Sequence, residues 1–551
     1  MRRLIPLLLA GLLAAPAQAT TRPLLDTVEG LLPIALPALG SQLQALLGQP
    51  VAKGGALRYA LNVPHAALAH GDGQWAERDG RAVWQYQLHS PQALSLSASF
   101  AAVDVPAGTV LRLADGQGVV WGEARNFGAR ERFQTAIVPG DTLLLEVELP
   151  SSERAADWRI EGVQHGYRSF DFRAKSGSCN IDTVCPAGDA WTAQIRSAAR
   201  ITVAGTALCS AVLMNNTAND GSPLLLTAEH CGVREDNADS VVAYWNYETS
   251  RCGGSPDGSL RQSQSGATLL ARNPDPDFAL LRLDQAPPAS YNVHYAGWDA
   301  SGDSFPSGAS VHHPRGDEKR ISLFENRPRK VRAIVDGEPV QSWEVVWNQG
   351  VTEPGSSGSA LFDNAGRVVG QLSGGNSSCD NPQGSDVYGR LDFGWEAGRS
   401  ASERLAPWLD PRGSGTRRID GRNGAGNNAR TQARGESFLL PPLSREPVPL
   451  AVLDNDFGAP PLRLVGASAE QGEALIVDNR LLYTPAPGFA GDSVQYQIID
   501  RHGEASTATA QVTPGTQARA LQASELAPRG GAATPGLLLL ILLAGLRRRQ
   551  R

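Results

Sequence analysis

The sequence has little charge of either sign. Asp, Glu, Lys and Arg make up 19% of its 551 residues and leave a net charge of −6, so a strongly basic surface is excluded and we expect no nucleic-acid partner. Methionine is also scarce, with two residues, whereas glycine (59) and proline (37) are abundant. Together with many short alternating apolar segments, this composition favours an all-β protein over helical bundles. Its length predicts two to four domains.

The first residues predict export. A basic start (residues 1–3) is followed by an apolar run (residues 4–15) and by the small-x-small site at residues 17–19, which is the order found in secretory signal peptides. We therefore expect a signal peptide over residues 1–19. The alternative, a short buried helix, does not account for this order.

Cysteine is confined to one part of the chain. All six cysteines lie between Cys179 and Cys379. An even number in an exported chain predicts three disulfides in one domain. The alternative is a zinc site, but no Cys-x-x-Cys pair and no His-rich spacing supports it.

The C-terminal residues carry a second targeting pattern. Gly530 and Gly531 precede an apolar run over residues 537–546 and three arginines at residues 547–549. The run is about half of the roughly twenty residues that span a bilayer. Residues 530–551 resemble the GlyGly-CTERM sorting tail of Gram-negative bacteria. This implies transient association with the inner membrane, removal by a rhomboid-type protease, and a secreted or cell-surface product. The alternative is a weak C-terminal anchor.

Composition shifts divide the rest of the chain. Residues 20–175 are β-rich and lack cysteine, which indicates a pro-region or, alternatively, a permanent β-sandwich module. Residues 176–411 contain every cysteine and form the predicted catalytic domain. The remaining segments are a flexible linker (412–439) rich in Gly, Arg, Asn and Ser, a small sandwich (440–514) and a second linker (515–529).

The small sandwich resembles the cadherin-like, immunoglobulin-type repeats of bacterial surface proteins. Short apolar segments alternate with turn residues, and the cluster Asp454, Asn455 and Asp456 stands at one of the turns. Hard oxygen ligands of this kind bind Ca²⁺. The more ordinary alternative is an Asx-rich turn.

Three segments of residues 176–411 carry residue types used in nucleophilic catalysis. His230 stands beside Cys231 after an apolar run, and Asp277 directly precedes the alternating residues 278–283. Ser357 lies within GVTEPGSSGSALF (residues 350–362), whose glycines permit a sharp turn and let main-chain N–H groups converge on an oxyanion. Each segment alone has a structural alternative: a loop histidine, a commonplace Asp before a strand, and a linker.

The order His, Asp, Ser is that of the chymotrypsin-type triad. Residues 176–411 resemble bacterial lysyl endopeptidase, a secreted protease of the trypsin fold. Besides the serine segment, the resemblance rests on SCNID (178–182), CP (185–186), NNTAND (215–220), YWNY (244–247), AGWD (296–299), HHP (312–314) and EKRIS (318–322). It implies a chymotrypsin-like double β-barrel.

The resemblance also implies a role for each site residue. His230 takes the proton of Ser357 as that hydroxyl attacks the scissile carbonyl, and Asp277 orients the imidazole. The N–H groups of Gly355 and Ser357 form the oxyanion hole. Water then hydrolyses the acyl-enzyme, and we expect neither a metal nor a cofactor.

Activation is expected to differ from that of trypsin-like zymogens that insert a new N-terminus. Those carry Asp before the nucleophile, whereas this chain has Ser356. We therefore expect activation by removal of the covering pro-region. The resemblance places the mature start at Ser176, after Lys175.

Disulfide pairing and specificity also follow only from the resemblance, because six cysteines allow fifteen pairings. It implies the pairs Cys179–Cys379, Cys185–Cys252 and Cys209–Cys231. It places Asp386 at the base of the specificity pocket, where a carboxylate binds an ammonium or guanidinium. Lysine-specific relatives add a stacked His and Trp; the His position is Ser373 here, and no Trp aligns, so the choice between Lys and Arg stays open.

The sequence thus predicts a monomeric, secreted serine endopeptidase that cuts protein or peptide substrates after a basic residue. One alternative is a surface adhesin or scaffold with an inactive protease-like domain, which the presence of all three triad residues disfavours. Another is an esterase, but the chain lacks the Gly-x-Ser-x-Gly elbow of α/β-hydrolases.

Overall fold

The computed structural model describes residues 20–21, 25, 27–28, 31–47, 53–125, 127–152, 155–168, 176–425, 430–440, 446–515 and 519–520. The predicted signal peptide, the predicted sorting tail and Lys175 lie outside the described residues. None of the helices in these ranges is long and apolar enough to cross a membrane.

The predicted pro-region, called the pro-region below, contributes most strands of two sheets with a common core that includes Trp84, Phe100 and Trp158. One sheet has the strand order Arg130–Gln134, Ser95–Asp104, Asp157–Gly166 and Ala60–Leu68, with Val138–Pro139 beside Ser95–Asp104. The other has the order Arg519–Ala520, Gln74–Arg78, Arg81–His89, Thr142–Glu148, Val110–Ala114 and Val120–Ala124, with Ile34–Ala35 beside Arg81–His89. Strands such as Asp157–Gly166 begin with alternating buried and exposed residues, as expected when one face of a strand is covered.

The core of the pro-region continues into the catalytic domain. Leu208, Val242 and Tyr244 of the catalytic domain belong to the same buried cluster. The backbone N–H of Ile137 donates a hydrogen bond to the hydroxyl of Tyr244 at 2.9 Å. The pro-region therefore packs directly on the catalytic domain.

The catalytic domain is built from two large sheets. The first has the strand order Ser263–Ser265, Val242–Tyr244, Ala198–Val203, Ala207–Met214, Leu224–Ala228, Phe278–Leu283 and Ala267–Asn273, with Leu57–Arg58 of the pro-region added beside Ala207–Met214. The second has the order Ile181–Asp182, Arg320–Phe324, Gly308–His312, Ala360–Asp363, Val368–Gly375, Ser385–Arg390, Glu338–Val346 and Arg329–Val335, with Trp298–Asp299 and Arg418–Ile419 off this path.

Helices are few and short in the described residues. The α-helices are Gly40–Leu47, Thr192–Ser197, Leu391–Glu396 and Ala406–Leu409. The 3₁₀ helices are Pro186–Trp191, Glu229–Cys231, Ala238–Ser240, Ala289–Tyr291, Pro314–Gly316 and Ala401–Glu403.

The C-terminal module is a small sandwich. One sheet has the order Thr20–Thr21, Ser437–Leu440, Ala505–Pro514, Asp492–Ile499 and Arg463–Ala469, and the other has Val448–Leu450, Arg480–Thr484 and Glu473–Val477. The all-β fold class, with a chymotrypsin-like catalytic domain and an Ig-like sandwich, is confirmed.

The carboxylate of Asp456 points into this sandwich. Its Oδ1 accepts hydrogen bonds from the N–H of Arg434 at 2.7 Å and from the hydroxyl of Tyr496 at 3.1 Å. No group of three or more His, Cys, Asp or Glu side chains is placed to hold a metal ion in the described part of the chain.

The start of the expected linker at residues 412–439 is ordered on the catalytic domain. Arg418–Ile419 pairs with Trp298–Asp299, and Arg422–Asn423 pairs with His294–Tyr295. Arg418 also forms an ion pair with Asp299 at 2.5 Å. Pairing and this ion pair explain why a polar, Gly-rich segment adopts a fixed conformation here.

Candidate active site

Strand pairing brings His230 and Asp277 together. His230 lies in the 3₁₀ turn Glu229–Cys231, directly after Leu224–Ala228, and Asp277 directly precedes Phe278–Leu283. These two strands are neighbours in register. As a result, Nδ1 of His230 is 2.9 Å from Oδ2 of Asp277, while the His230 backbone N–H donates to Oδ1 at 3.0 Å. Two hydrogen bonds hold the carboxylate against the histidine.

The environment of His230 favours a protonated imidazole. Burial lowers the pKa of His230, but the charge of Asp277 and its hydrogen bond, together with the charges of Asp336 and Glu229, raise it by more, so that the pKa lies above its ordinary value. Asp277 is itself only 4% exposed. The pair therefore has the electrostatics of a base that is stabilised once it accepts a proton.

Ser357 lies in a loop that is fastened to the first sheet. Its carbonyl accepts a hydrogen bond from the N–H of Ser210 at 2.8 Å, and the Ser210 hydroxyl donates to the carbonyl of Gly355 at 3.0 Å. Gly355 and Gly358 have φ angles of 96° and 81°, which favour glycine. A Cβ at residue 358 would lie 2.2 Å from Oγ1 of Thr227, so this close approach requires glycine.

The loop places Ser357 beside the turn that carries His230. Sγ of Cys231 is 3.9 Å from the carbonyl oxygen of Ser357. The Ser357 hydroxyl donates a hydrogen bond to the carbonyl of Lys53 at 3.3 Å rather than to the imidazole. Nε2 of His230 is buried and has no hydrogen-bond partner among the described residues.

Asp386 is a buried carboxylate that receives a side chain from the N-terminal part of the chain. Its Oδ2 accepts three hydrogen bonds, from Nε1 of Trp347 at 2.7 Å, from the Thr352 hydroxyl at 2.7 Å and from the Ser377 hydroxyl at 2.6 Å. Its Oδ1 is 2.7 Å from Nζ of Lys53. The carboxylate is completely buried, and its charge is balanced by the ammonium of the pro-region.

Lys53 fills this pocket from the pro-region. Besides the ion pair with Asp386, its ammonium donates to the carbonyl oxygen of Ser377 at 2.7 Å and to the Ser377 hydroxyl at 2.9 Å. The Lys53 side chain is 9% exposed. The sequence prediction missed both Lys53 and Trp347. The rarity of lysine in the chain is the one signal that points to Lys53.

Ser356, the residue before Ser357, bonds to a buried histidine. Its hydroxyl lies 2.8 Å from Nδ1 of His312. Burial, with the charge of Lys53 acting in the same direction, lowers the pKa of His312 to about 3, so this imidazole is neutral. The backbone N–H of Ser176, the expected mature start, donates a hydrogen bond to Oδ2 of Asp317 at 3.0 Å.

Ser373, the position of the histidine in lysine-specific relatives, is fully buried, and its hydroxyl has no hydrogen-bond partner among the described residues.

Three disulfides brace the site: Cys179–Cys379, Cys185–Cys252 and Cys209–Cys231. They are the three pairs that the resemblance implies. Cys209–Cys231 fixes the turn that carries His230. Cys179–Cys379 ties the segment after Ser176 to the loop beside the pocket.

Two regions of the chain match families of known proteins. Residues 173–389 match the family model "Lysyl endopeptidase, C-terminal domain", and residues 429–513 match the model "Bacterial Ig domain". The chain is 29% identical over 342 residues to a lysyl endopeptidase of Pseudomonas aeruginosa, covering 56% of this chain and 72% of that relative. Taken with the fold, these matches define the protein as a serine endopeptidase.

Solved structures that resemble the chain include two proteases. A Glu endopeptidase has a TM-score of 0.25 and 16% identity, covering 40% of this chain and 94% of that one. An HtrA-type protease, AlgW with a tripeptide, has a TM-score of 0.26 and 17% identity, covering 36% of this chain. The chain spans 59% of the length of the HtrA-type protease.

Proposed function

We propose that the protein is the precursor of a secreted endopeptidase that hydrolyses peptide bonds on the carboxyl side of a basic residue. The observation that carries the proposal is the placement of one basic side chain. The ammonium of Lys53 lies on Asp386, while the carbonyl of the same residue accepts a hydrogen bond from Ser357. A basic residue is thereby held at the floor of the pocket with its own carbonyl beside the nucleophile.

In this proposal His230 acts as general base and acid. It takes the proton of Ser357 as Oγ attacks the substrate carbonyl, and it returns the proton to the leaving amine. Asp277 holds the imidazole by Nδ1 and stabilises its charged form. The N–H groups of Gly355 and Ser357 are the oxyanion donors, and losing one such donor costs roughly 10²–10³-fold in rate. Water then hydrolyses the ester of Ser357.

The hydrogen bonds of Asp386 favour lysine over arginine. Oδ2 is already bonded to Trp347, Thr352 and Ser377. Oδ1 accepts the Lys53 ammonium at 2.7 Å and a longer bond from the Ser377 N–H at 3.3 Å, so it has room for one strong donor from a substrate. An ammonium is satisfied by such a single oxygen, whereas a guanidinium binds best through two parallel hydrogen bonds to a carboxylate. We therefore place lysine ahead of arginine, although Ser373 replaces the histidine of lysine-specific relatives.

Secretion is the second part of the proposal. The residue pattern at positions 1–19 and the three disulfides support an oxidising destination. The tail from Gly530 onward supports release by a rhomboid-type protease, and we propose a monomeric product. Cell fractionation with and without residues 530–551 tests this part: a mature form that stays in the cytoplasm would contradict it.

A substrate panel tests the catalytic part. The precursor is expressed in an oxidising compartment, allowed to process, and offered matched peptide amides ending in Lys, Arg, Leu or Glu. We expect release in the order Lys, then Arg, with Leu and Glu far behind, and no release by Ser357→Ala. Equal release by Ser357→Ala, or none by wild type, leaves an inactive scaffold as the better account. Faster hydrolysis of the Leu amide than of the Lys amide contradicts only the assignment of Asp386 to the specificity pocket.

A further inference from the structure

The segment that follows Lys53 pairs with the first sheet of the catalytic domain as an added strand. Leu57–Arg58 pairs antiparallel with Leu208 and Ala207, and the N–H of Tyr59 donates to the carbonyl of Thr206 at 3.0 Å. Peptide segments that bind along a sheet edge in this way use main-chain hydrogen bonds for affinity and a side-chain pocket for specificity. The pro-region thus presents itself as a substrate would.

Gly54 fits closely at the next position. A Cβ at residue 54 would lie 3.0 Å from Cγ1 of Val335 and 3.1 Å from Cγ of Asp336. These two residues end the strand Arg329–Val335 and begin the turn of its hairpin. The Lys53–Gly54 bond is therefore anchored on both sides, by the pocket before it and by the hairpin and the added strand after it.

Lysine is rare in this chain, and one of its few lysines occupies the pocket. Of the 50 basic residues only four are lysine: Lys53, Lys175, Lys319 and Lys330. Lys319 is fully buried and donates to the carbonyl of Ile195 at 2.8 Å. Lys330 is paired within a hairpin strand. The pro-region contains the other two, one at the expected mature boundary and one in the pocket.

We propose that the Lys53–Gly54 bond is a self-processing site, cut by Ser357 of the same chain. This inference rests on the proposed function of the site. It assigns the chain a second processing position, 122 residues before the expected cut after Lys175. Because Lys53 already occupies the pocket of its own chain, the cut is intramolecular.

Water is the only other reagent that the reaction needs. A bond forms between Oγ of Ser357 and the carbonyl carbon of Lys53, and the C–N bond to Gly54 breaks. The serine proton passes through His230 to the amine of Gly54. Hydrolysis of the ester then gives the carboxylate of Lys53 and restores Ser357.

The contacts between the pro-region and the catalytic domain also predict whether the two parts separate after the Lys53–Gly54 bond is cut. The new N-terminus at Gly54 stays next to the site, because Leu57–Arg58 remains paired with the first sheet and the pro-region core continues into Leu208 and Tyr244. The cut therefore nicks the precursor without releasing the rest of the pro-region, and a second cut is needed for separation.

A time course on the full-length precursor tests the proposal. Intact mass and N-terminal sequencing monitor the appearance of a chain that begins at Gly54, at several precursor concentrations. We expect this terminus to form with a first-order rate constant that does not change on dilution. It should be absent from Ser357→Ala and from Lys53→Gln, and present in Lys330→Gln, which removes an exposed lysine outside the pocket.

The same preparations are assayed on a Lys peptide amide, which separates the two proposals. An enzyme that hydrolyses the amide but never forms the Gly54 terminus overturns the self-processing site and leaves the proposed function intact. An enzyme that forms no Gly54 terminus and stays inactive on the amide after the pro-region has been separated overturns both. Equal cutting in Ser357→Ala, or a rate that rises with concentration, overturns the intramolecular cut. If Lys53→Gln fails to fold, wild type and Ser357→Ala decide the matter alone.

Discussion

Nε1 of Trp347 donates a hydrogen bond to Oδ2 of Asp386 at 2.7 Å, and the other oxygen of that carboxylate holds the ammonium of Lys53. With Thr352 and Ser377, the indole occupies Oδ2, while Oδ1 accepts one strong bond from Lys53 and a longer one from the Ser377 N–H at 3.3 Å. This arrangement is the physical basis for the proposed lysine specificity.

Removing the charge of Asp386 is expected to abolish basic specificity. Loss of one partner of a buried charge pair costs about 2–5 kcal/mol, or roughly 30- to 5000-fold in affinity. We expect Asp386→Asn to lower kcat/KM for Lys peptide amides by a factor in this range, with little effect on Leu amides. Asp380→Asn, an exposed carboxylate in the neighbouring loop, is the control. Equal losses on both substrates would mean that the variant has damaged the fold.

Trp347→Phe should weaken the preference for lysine. The substitution keeps an aromatic ring but leaves Oδ2 without one donor, and this oxygen can then accept from a guanidinium. A hydrogen bond to a charged group contributes about 1.5–3 kcal/mol, so the ratio of Arg to Lys hydrolysis should rise roughly 10- to 150-fold. Steady-state kinetics on paired Lys and Arg amides measure this ratio. An unchanged ratio would show that Trp347 does not set it.

The pH profile should track the titration of His230. Burial lowers the pKa of His230, and Asp277 more than offsets this, so the net pKa is raised. Since the neutral imidazole is the active base, kcat/KM should rise with pH through this raised value. In Asp277→Asn the largest opposing charge is lost, while burial and the weaker effects of Asp336 and Glu229 remain. The rising limb should therefore move to lower pH, while kcat falls roughly 10⁴-fold. A profile that moves to higher pH would contradict this assignment.

Loss of the disulfide Cys209–Cys231 should lower kcat as well as stability. It closes a separation of 22 residues, and loss of a native disulfide costs about 2–5 kcal/mol of stability. Replacing both cysteines by alanine should lower the melting temperature, and kcat should also fall because the turn carrying His230 is released. The matched double variant at Cys185 and Cys252 should lose stability with a smaller loss of kcat. The reverse order of kcat losses would count against this role.

The local parts of the site were predictable from the sequence, and the long-range parts were not. Short motifs identify the three triad residues. His230 follows an apolar run, Asp277 precedes one, and Ser357 lies in a glycine-framed turn. Lys53 and Asp386 are separated by 333 residues, and no periodicity or spacing connects them. Trp347 stands in no motif that marks it as part of a site. Residues 418–423 looked like linker because their strand partners, such as Trp298–Asp299, are distant in sequence.

Covalent labelling of the processed enzyme tests the central claim most directly. A lysine-based phosphonate ester reacts with a serine nucleophile whose pocket binds the ammonium, and peptide mapping by mass spectrometry locates the adduct. We expect one adduct per chain, on Ser357, with none in Ser357→Ala and little from the matched leucine reagent. An adduct on a different serine, or equal labelling by the leucine reagent, would contradict the account.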